Sequence, residues 1–177
     1  LRQCLADGTT FWFAGAQDTL SALLVDQSGF DGVFTTGFGI SASLLGQPDM
    51  ELYTLSENVQ VVDHIANVVR KPIFADADTG YGEVECAVRT VVEYERAGAA
   101  ALHVEDQVFP KRCGHLDGKD LVPMEAMAEK VAAMAQYRLS RDFVIIARTD
   151  ARHVTGFDDA VKRANRHREA GADMIFP

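Results

Sequence analysis

The sequence predicts an α/β protein in which a parallel sheet, buried on both faces, forms part of a (β/α)8 TIM barrel. Three observations predict it. Short, nearly all-apolar runs alternate with longer runs of helical spacing, as strands covered by helices on both sides require. Three stretches echo one another: Gln27-Ser28-Gly29-Phe30-Asp31-Gly32-Val33-Phe34, Arg96-Ala97-Gly98-Ala99-Ala100-Ala101-Leu102-His103 and Glu169-Ala170-Gly171-Ala172-Asp173-Met174-Ile175-Phe176. Each places a Gly just past a helix end and turns tightly into a strand. They recur at intervals of about 70 residues, two strand–helix units of roughly 35 each. Finally, polar residues gather where the strands end and not where they begin, and in parallel α/β sheets that C-terminal edge is the functional one.

An open doubly wound sheet is the other arrangement of such units. The regular repeat favours the barrel, which takes about 250 residues when complete. The 177 residues supply five units and a sixth strand, so the last two units are expected outside this stretch. The chain opens on Leu1 and stops at Pro177, directly after the apolar run Met174-Ile175-Phe176. Residues 1–177 are therefore expected to be one partial-barrel catalytic domain of a longer protein, without its C-terminal strands and helices.

Taken in order, residues 11–16 form an apolar first strand, and 18–29 have helical spacing at Leu20, Leu23, Leu24 and Gln27. Residues 32–36 are the second strand, and 36–49, rich in Gly, Ser and Thr, read as a loop with a short helical piece. Residues 57–70 repeat apolar side chains at Val61, Val62, Ile65, Val68 and Val69, which predicts a helix. The third strand, 72–77, is entered through Pro72, which suits a strand start. A helix over 84–97 leads to the fourth strand, 99–104. Pro123 opens a helix to Arg138, at the position proline prefers. Residues 143–147 are the fifth strand, 157–170 a helix and 174–176 the sixth strand.

The net charge is −9, which argues against a nucleic-acid or anionic-membrane surface. It leaves a small anionic substrate possible, because local charge can differ from net charge. No apolar run approaches the roughly 20 residues of a membrane span. Cys4, Cys86 and Cys113 are odd in number and far apart, so a reducing, cytoplasmic setting is expected.

The strand ends carry the chemistry. The third strand exits through Asp76, Ala77, Asp78, Thr79 and Gly80, the fourth through Glu105 and Asp106, the fifth through Arg148, Thr149 and Asp150, and the second through Thr35, Thr36 and Gly37. Asp76 and Asp78, two apart on a strand, are expected on the same side. A divalent cation would relieve their repulsion, and all-oxygen ligands favour Mg²⁺ or Mn²⁺ over zinc. The alternative is that Asp76 caps the following loop and Asp78 is solvated. Glu105, on the neighbouring strand, strengthens the metal reading.

Lys111, Arg112, Cys113, Gly114 and His115 follow one another in a loop after the fourth strand. Basic neighbours activate a thiol, so Cys113 is either an acid–base or nucleophilic group or a plain surface thiol. Arg148 either pairs with a protein carboxylate or clamps a substrate carboxylate. Gly37 and Gly39 would let backbone N–H groups approach a carboxylate. His64 and His103 are expected in packing or solvent-facing roles.

These residues resemble the isocitrate lyase and phosphoenolpyruvate mutase superfamily. The resemblance rests on the run 111–115 preceded by Glu105-Asp106-Gln107, on Asp76-Ala77-Asp78-Thr79-Gly80, Leu45-Gly46-Gln47-Pro48-Asp49 and Ala147-Arg148-Thr149-Asp150-Ala151, and on Ala170-Gly171-Ala172-Asp173. It runs nearly the full length, in the family's order, and is nearest to the methylisocitrate and dimethylmalate lyase branch. Carboxyphosphonoenolpyruvate phosphonomutase is very similar too. The resemblance implies a Mg²⁺-dependent barrel enzyme, with Mn²⁺ as a substitute, that acts on a small 2-oxo or 2-hydroxy carboxylate. The reaction would be carbon–carbon cleavage of a 2-hydroxy di- or tricarboxylate to pyruvate or glyoxylate and a second carboxylate. A phosphonomutase, or an oxaloacetate hydrolase or decarboxylase, stands as the alternative, and a non-catalytic carboxylate-binding barrel as a third.

By matching positions, the resemblance implies that Asp76 and Asp78 hold the metal, directly or through water, with Asp49 and Glu105 completing the water network. Thr36, Gly37, Phe38 and Arg148 would bind the substrate carboxylate. Residues 111–115 would be a mobile gate in which Cys113 acts as general acid, tuned by Lys111 and His115, with Gly114 against the substrate. It also implies a homo-oligomer, often a tetramer. Phe34 stands where methylisocitrate-type lyases usually have Tyr, Phe38 where the side chain is often small, and Gln47 where Leu is usual.

Overall fold

Six strands, β1 (Phe13–Ala16), β2 (Gly32–Thr35), β3 (Ile73–Asp76), β4 (Ala101–Glu105), β5 (Val144–Arg148) and β6 (Met174–Phe176), lie side by side in sequence order, all parallel, in a computed structural model that describes residues 1–177. The order decides between the two architectures the sequence left open. A doubly wound sheet reverses its strand order at a switch point; here the order runs from β1 to β6 without a reversal, so the sheet is six strands of a TIM barrel.

Alternation along the strands separates two cores. Val33, Ile73, Ala75, Leu102, Val104, Ile145 and Ala147 pack among the helices in the main apolar cluster. The alternate residues Ala101, Val144 and Ile146 form a second cluster with Phe74 and Met174, on the barrel's inner side. This inner cluster also receives Leu1 and Leu5, at and within α1 (Arg2–Ala6). That short helix, which the sequence patterns did not announce, closes the floor of the barrel. It is tied there by Arg2, whose guanidinium donates to Asp173 at 2.9 Å and to the Phe143 carbonyl at 2.9 Å.

The outer helices are α2 (Thr19–Asp26), α4 (Leu55–Ala66), α5 (Val84–Arg96), α6 (Met124–Tyr137) and α8 (Phe157–Ala170). α2 ends at Asp26, three residues before the expected bound, and α4 departs furthest from expectation. It starts earlier because Thr54 and Glu57 form a capping box. It stops at Ala66 although Val68 and Val69 continue the apolar pattern, since the Arg70 and Lys71 N–H groups are captured by Asp26 Oδ1, each at 3.1 Å. Residues 36–49, expected to be mostly loop, hold α3 (Gly37–Ile40) and a π turn, Ser41–Leu45. A further short helix, α7 (Ala151–Val154), follows β5. Of the three echoing glycines, Gly98 and Gly171 take the left-handed conformation that ends their helices, with φ of 93° and 115°, whereas Gly29 does not. No helix is long and apolar enough to cross a membrane.

Candidate active site

β3 delivers Asp76 as its last residue, and the chain then turns through Asp78, whose φ of +47° is left-handed. The two carboxylates do share one side, but not by strand alternation as expected, because Asp78 has already left the strand. The turn folds back, and the Asp78 N–H donates to Asp76 Oδ1 at 3.1 Å. Asp76 Oδ2 accepts the Gly37 N–H at 2.9 Å. So Asp76 does cap its own loop, while Asp78, far from solvated, is fully buried.

Three more groups complete this cluster. Lys111 Nζ lies 2.5 Å from Asp49 Oδ1 and 2.7 Å from Asp78 Oδ1. The Tyr53 hydroxyl donates to Asp78 Oδ2. His103, one strand over, sits 3.0 Å from Asp76 Oδ1 without the alignment of a hydrogen bond, in a box of Phe34, Phe74 and Phe176 rings. His103 packs as expected, but against Asp76 as well as the aromatics. Its spacing from Ala101 and Glu105 on one strand was the available signal for an inward position; Tyr53 had none.

Glu105 ends β4 and is buried. Its carboxylate lies 3.2 Å from Arg148 Nη1, and Arg148 Nη2 lies 3.3 Å from Asp150 Oδ2. The Arg148 guanidinium also covers the Phe176 ring at 5.0 Å. Arg148 thus pairs with protein carboxylates here, the first of its two expected roles. Beside it, Asp106 accepts from the Thr149 hydroxyl at 2.7 Å and from Arg163 Nη1 at 3.1 Å, which ties β4 and β5 to α8.

Seven buried carboxylates (Asp49, Glu51, Asp76, Asp78, Glu105, Asp106, Asp150) face Lys111, Lys119, Lys130, Arg148 and Arg163 at this end. Protonation equilibria respond to that excess. Burial, then Asp78, push Glu51 up to about 7. Burial raises Glu105 well above the usual carboxylate range, against the pull of Lys111 and Arg148. Burial also works to raise Asp76, but His103 and then Lys111 outweigh it and hold Asp76 low, so the repulsion falls on Asp78, which is raised by burial and by Asp76. Burial opposes the charge on Lys111, yet Asp78, Asp76, Glu105 and Asp49 together raise its pKa.

The loop after β4 is pinned at its base, where the Val108 N–H donates to Asp120 O at 2.8 Å and the Val122 N–H to Asp106 O at 2.9 Å. The Gln107 amide bridges Arg112, Glu105 and Asp150. Within the loop, Lys119 Nζ donates to the Gly114 carbonyl. Gly114 lies so close to Arg148 that a Cβ there would stand 2.1 Å from Nη2, so a side chain at this position would displace the guanidinium. Cys113 is half-buried, with Sγ 3.6 Å from His115 Nδ1. The basic surroundings expected for it are thinner than the sequence suggests. Lys111 turns away to the acids, and Arg112 Nη1 reaches the Asp117 carbonyl at 3.4 Å.

The segment 36–38 is placed at the same mouth, where two of its groups have partners within the protein. The Thr36 hydroxyl caps α3 by accepting the Gly39 N–H at 3.3 Å. The Gly37 N–H is taken by Asp76, and a Cβ on Gly37 would stand 2.6 Å from the Tyr53 hydroxyl oxygen. Phe38 is 59% exposed.

For a metal ion, the donors of Asp49, Asp76, Asp78 and Glu105 are all oxygen, which suits a hard divalent cation. Asp49 Oδ1 and Asp78 Oδ1 are buried without a hydrogen bond and meet only the Lys111 ammonium. The residues therefore fit such an ion in charge and chemistry, although no three acids or histidines already form a cage.

The phosphoenolpyruvate phosphomutase family matches residues 1–177. 2,3-Dimethylmalate lyase of Eubacterium barkeri is 45% identical over 176 residues, covering 99% of this chain and 61% of that protein. 2-Methylisocitrate lyase of Aeropyrum pernix is 50% identical over 163 residues, covering 92% of this chain and 52% of that protein. Among solved structures, a 2,3-dimethylmalate lyase described as a PEP mutase/isocitrate lyase superfamily member superposes with a TM-score of 0.94 at 41% identity, over 99% of this chain and 60% of that one. A phosphonopyruvate hydrolase in complex with oxalate and Mg²⁺ superposes with a TM-score of 0.91 at 38% identity, over 98% of this chain and 60% of that one. The chain thus spans between about half and three fifths of the length of these relatives. Parallel strands in sequence order, acids at their ends and a match along the whole chain all agree: this chain belongs to the phosphoenolpyruvate phosphomutase family, within the PEP mutase/isocitrate lyase superfamily.

Proposed function

We propose that the full-length protein is a Mg²⁺-dependent carbon–carbon lyase, which cleaves a 2-hydroxy di- or tricarboxylate into a 2-oxo acid and a second carboxylate. The observation that carries this is the surplus of buried carboxylates at one barrel mouth, beside a lid loop bearing a thiol. The named lyases among the relatives support the reaction class. Asp76 and Asp78, with Asp49 and Glu105 through water, would hold the ion, and Mn²⁺ would substitute for it. Bound there, it would supply Lewis-acid polarisation of the developing carbonyl.

The chain's own residues do the rest. Arg148, held by Glu105 and Asp150, offers its guanidinium to a substrate carboxylate. Thr36, Gly37 and Gly114 line that end, and Phe38 shields it from water. The hydroxyl loses its proton to a mouth carboxylate, since Phe34 has no proton acceptor. The C–C bond then breaks, its electron pair passing to the carbon of the departing carboxylate. The Cys113 thiol gives that carbon a proton and is left as thiolate, while His115 holds the sulfur. Lys111, neutralised by Asp49 and Asp78, anchors the lid.

A panel of methylisocitrate, dimethylmalate, isocitrate, oxaloacetate and phosphonopyruvate, assayed with Mg²⁺ on the full-length protein, tests the proposal. Cleavage of a 2-hydroxy acid supports it. Turnover of phosphonopyruvate or oxaloacetate alone would replace it with the phosphonate or hydrolase alternative. No turnover, and no stabilisation by Mg²⁺ with pyruvate, would leave a non-catalytic barrel. The expected tetramer rests on the resemblance and the expected cytoplasmic setting on the cysteine usage, and sedimentation of the full-length protein checks the former.

A further inference from the structure

Asp78 sits in a strained place. Its backbone is left-handed, as are those of Glu51 and Tyr81 nearby, with φ of 47°, 55° and 60°. Non-glycine residues hold this conformation only where their surroundings over-determine it. Those surroundings are a set of hydroxyl and amide groups outside the barrel wall. Tyr94 donates to the Asp76 carbonyl at 3.0 Å, and Asn58 Nδ2 donates to the same carbonyl at 3.1 Å and to the Tyr81 hydroxyl at 2.8 Å. Tyr81 and Tyr94 share a hydrogen bond at 3.0 Å. These groups hold the backbone of the turn. Among the hydroxyls, only that of Tyr53, 1% exposed, takes a close hold of the Asp78 carboxylate; the Tyr81 hydroxyl is 3.5 Å away.

The two Asp78 oxygens therefore have different partners. Oδ2 accepts from the Tyr53 hydroxyl, and Oδ1 faces Lys111 with no hydrogen bond of its own. Gly37 completes the arrangement. A Cβ there would come within 2.6 Å of the Tyr53 oxygen, 2.8 Å of Asp76 Oδ2 and 3.1 Å of Asp78 Oδ1, so these three groups meet where only a glycine leaves room.

From this geometry we infer that Tyr53 is a positioning residue for cation binding: by occupying Oδ2 it fixes the Asp78 carboxylate so that Oδ1 alone is presented to a cation at the barrel mouth. The inference deepens the metal-binding reading above and rests on it. Partners that orient a ligand in this way typically contribute 10–100-fold to metal affinity.

The test uses the full-length protein with Mn²⁺ as probe, free ion being counted by electron paramagnetic resonance. Tyr53→Phe is expected to weaken Mn²⁺ binding by about 10-fold or more. The variant should remain folded without metal, as its circular dichroism checks, and the KM for Mg²⁺ should rise in step with the loss of Mn²⁺ affinity. Tyr81→Phe, whose hydroxyl mainly serves Asn58 and Tyr94, should change binding by less than about threefold. Equal affinity in Tyr53→Phe and wild type would overturn the inference, as would equal losses in the two variants. If wild type itself binds no Mn²⁺, the metal-binding reading falls and takes this inference with it. Should Tyr53→Phe not fold, 3-fluorotyrosine at position 53 gives an independent readout. Its fluorine resonance should shift on addition of Mg²⁺, and an unmoved resonance in metal-saturated protein refutes the positioning role.

Discussion

At the floor of the barrel, one carboxylate is shared by two arginines and a backbone amide. Asp173 accepts from Arg2 at 2.9 Å, Arg138 at 2.6 Å and the Ile145 N–H at 3.0 Å, above an apolar plug of Leu1 and Leu5. At the mouth of the same strands, seven buried carboxylates share five cations. The difference shows in the direction of the pKa shifts. Burial would raise Asp173, but hydrogen bonds from Arg2, Ile145 and Arg138 outweigh it and lower the pKa, so this group stabilises the fold when ionised. Glu51 and Glu105 are raised, chiefly by burial, so their charges cost stability. A protein keeps such groups only where something other than stability requires them. The floor holds the barrel shut, and the mouth concentrates negative charge that the proposed cation would offset.

The largest expected effect separates the two ends outright. In the full-length protein, Cys113→Ser should lower kcat by 10²-fold or more, the scale of general-acid loss, about 3 kcal/mol in the barrier. Pyruvate binding and thermal stability should stay unchanged. Full activity in this variant removes Cys113 from the mechanism. The converse experiment is Asp173→Asn, which leaves Arg2 and Arg138 without a charged partner and should destabilise by about 2 kcal/mol in urea unfolding. Mn²⁺ affinity should not move; a change there would mean that the ends are coupled.

A smaller effect tests the stored charge by pH. Glu51 has an ordinary value of 4.5 and a folded value of about 7. The folded state therefore holds an extra proton between these values, and the associated stability is present at acid pH and lost as pH rises through 7. With chelator present, Glu51→Gln should be more stable than wild type by about 1 kcal/mol at alkaline pH and equal to it at acid pH. Thr79 keeps its acceptor in that variant, because the amide oxygen replaces Oε2. Asp173 predicts the opposite slope for the floor, with stability lost as pH falls below the carboxylate range. The smallest effect is Phe38→Ala, which should change stability by no more than about 0.5 kcal/mol. A KM shift without a kcat shift would place this ring over the substrate.

The sequence by itself determined the strand–helix alternation and most element bounds to within a residue or two, because periodicity and capping are local properties. It also determined which residues stand at the strand ends: Asp76, Glu105 and Arg148 are the last residues of β3, β4 and β5. Strand order, and with it the choice of barrel over open sheet, needed the tertiary structure. So did the partners of each reactive group. Lys111 was read beside Cys113 because they are neighbours in sequence, yet its ammonium lies against Asp49 and Asp78, which are 62 and 33 positions away. Tyr53 reaches Asp78 across 25 positions, and α1 closes the floor against strands far along the chain. The physical reason is the same in each case. A carboxylate buried at a barrel mouth takes its partner from whatever element the fold brings within hydrogen-bond reach, and chain separation places no limit on that choice.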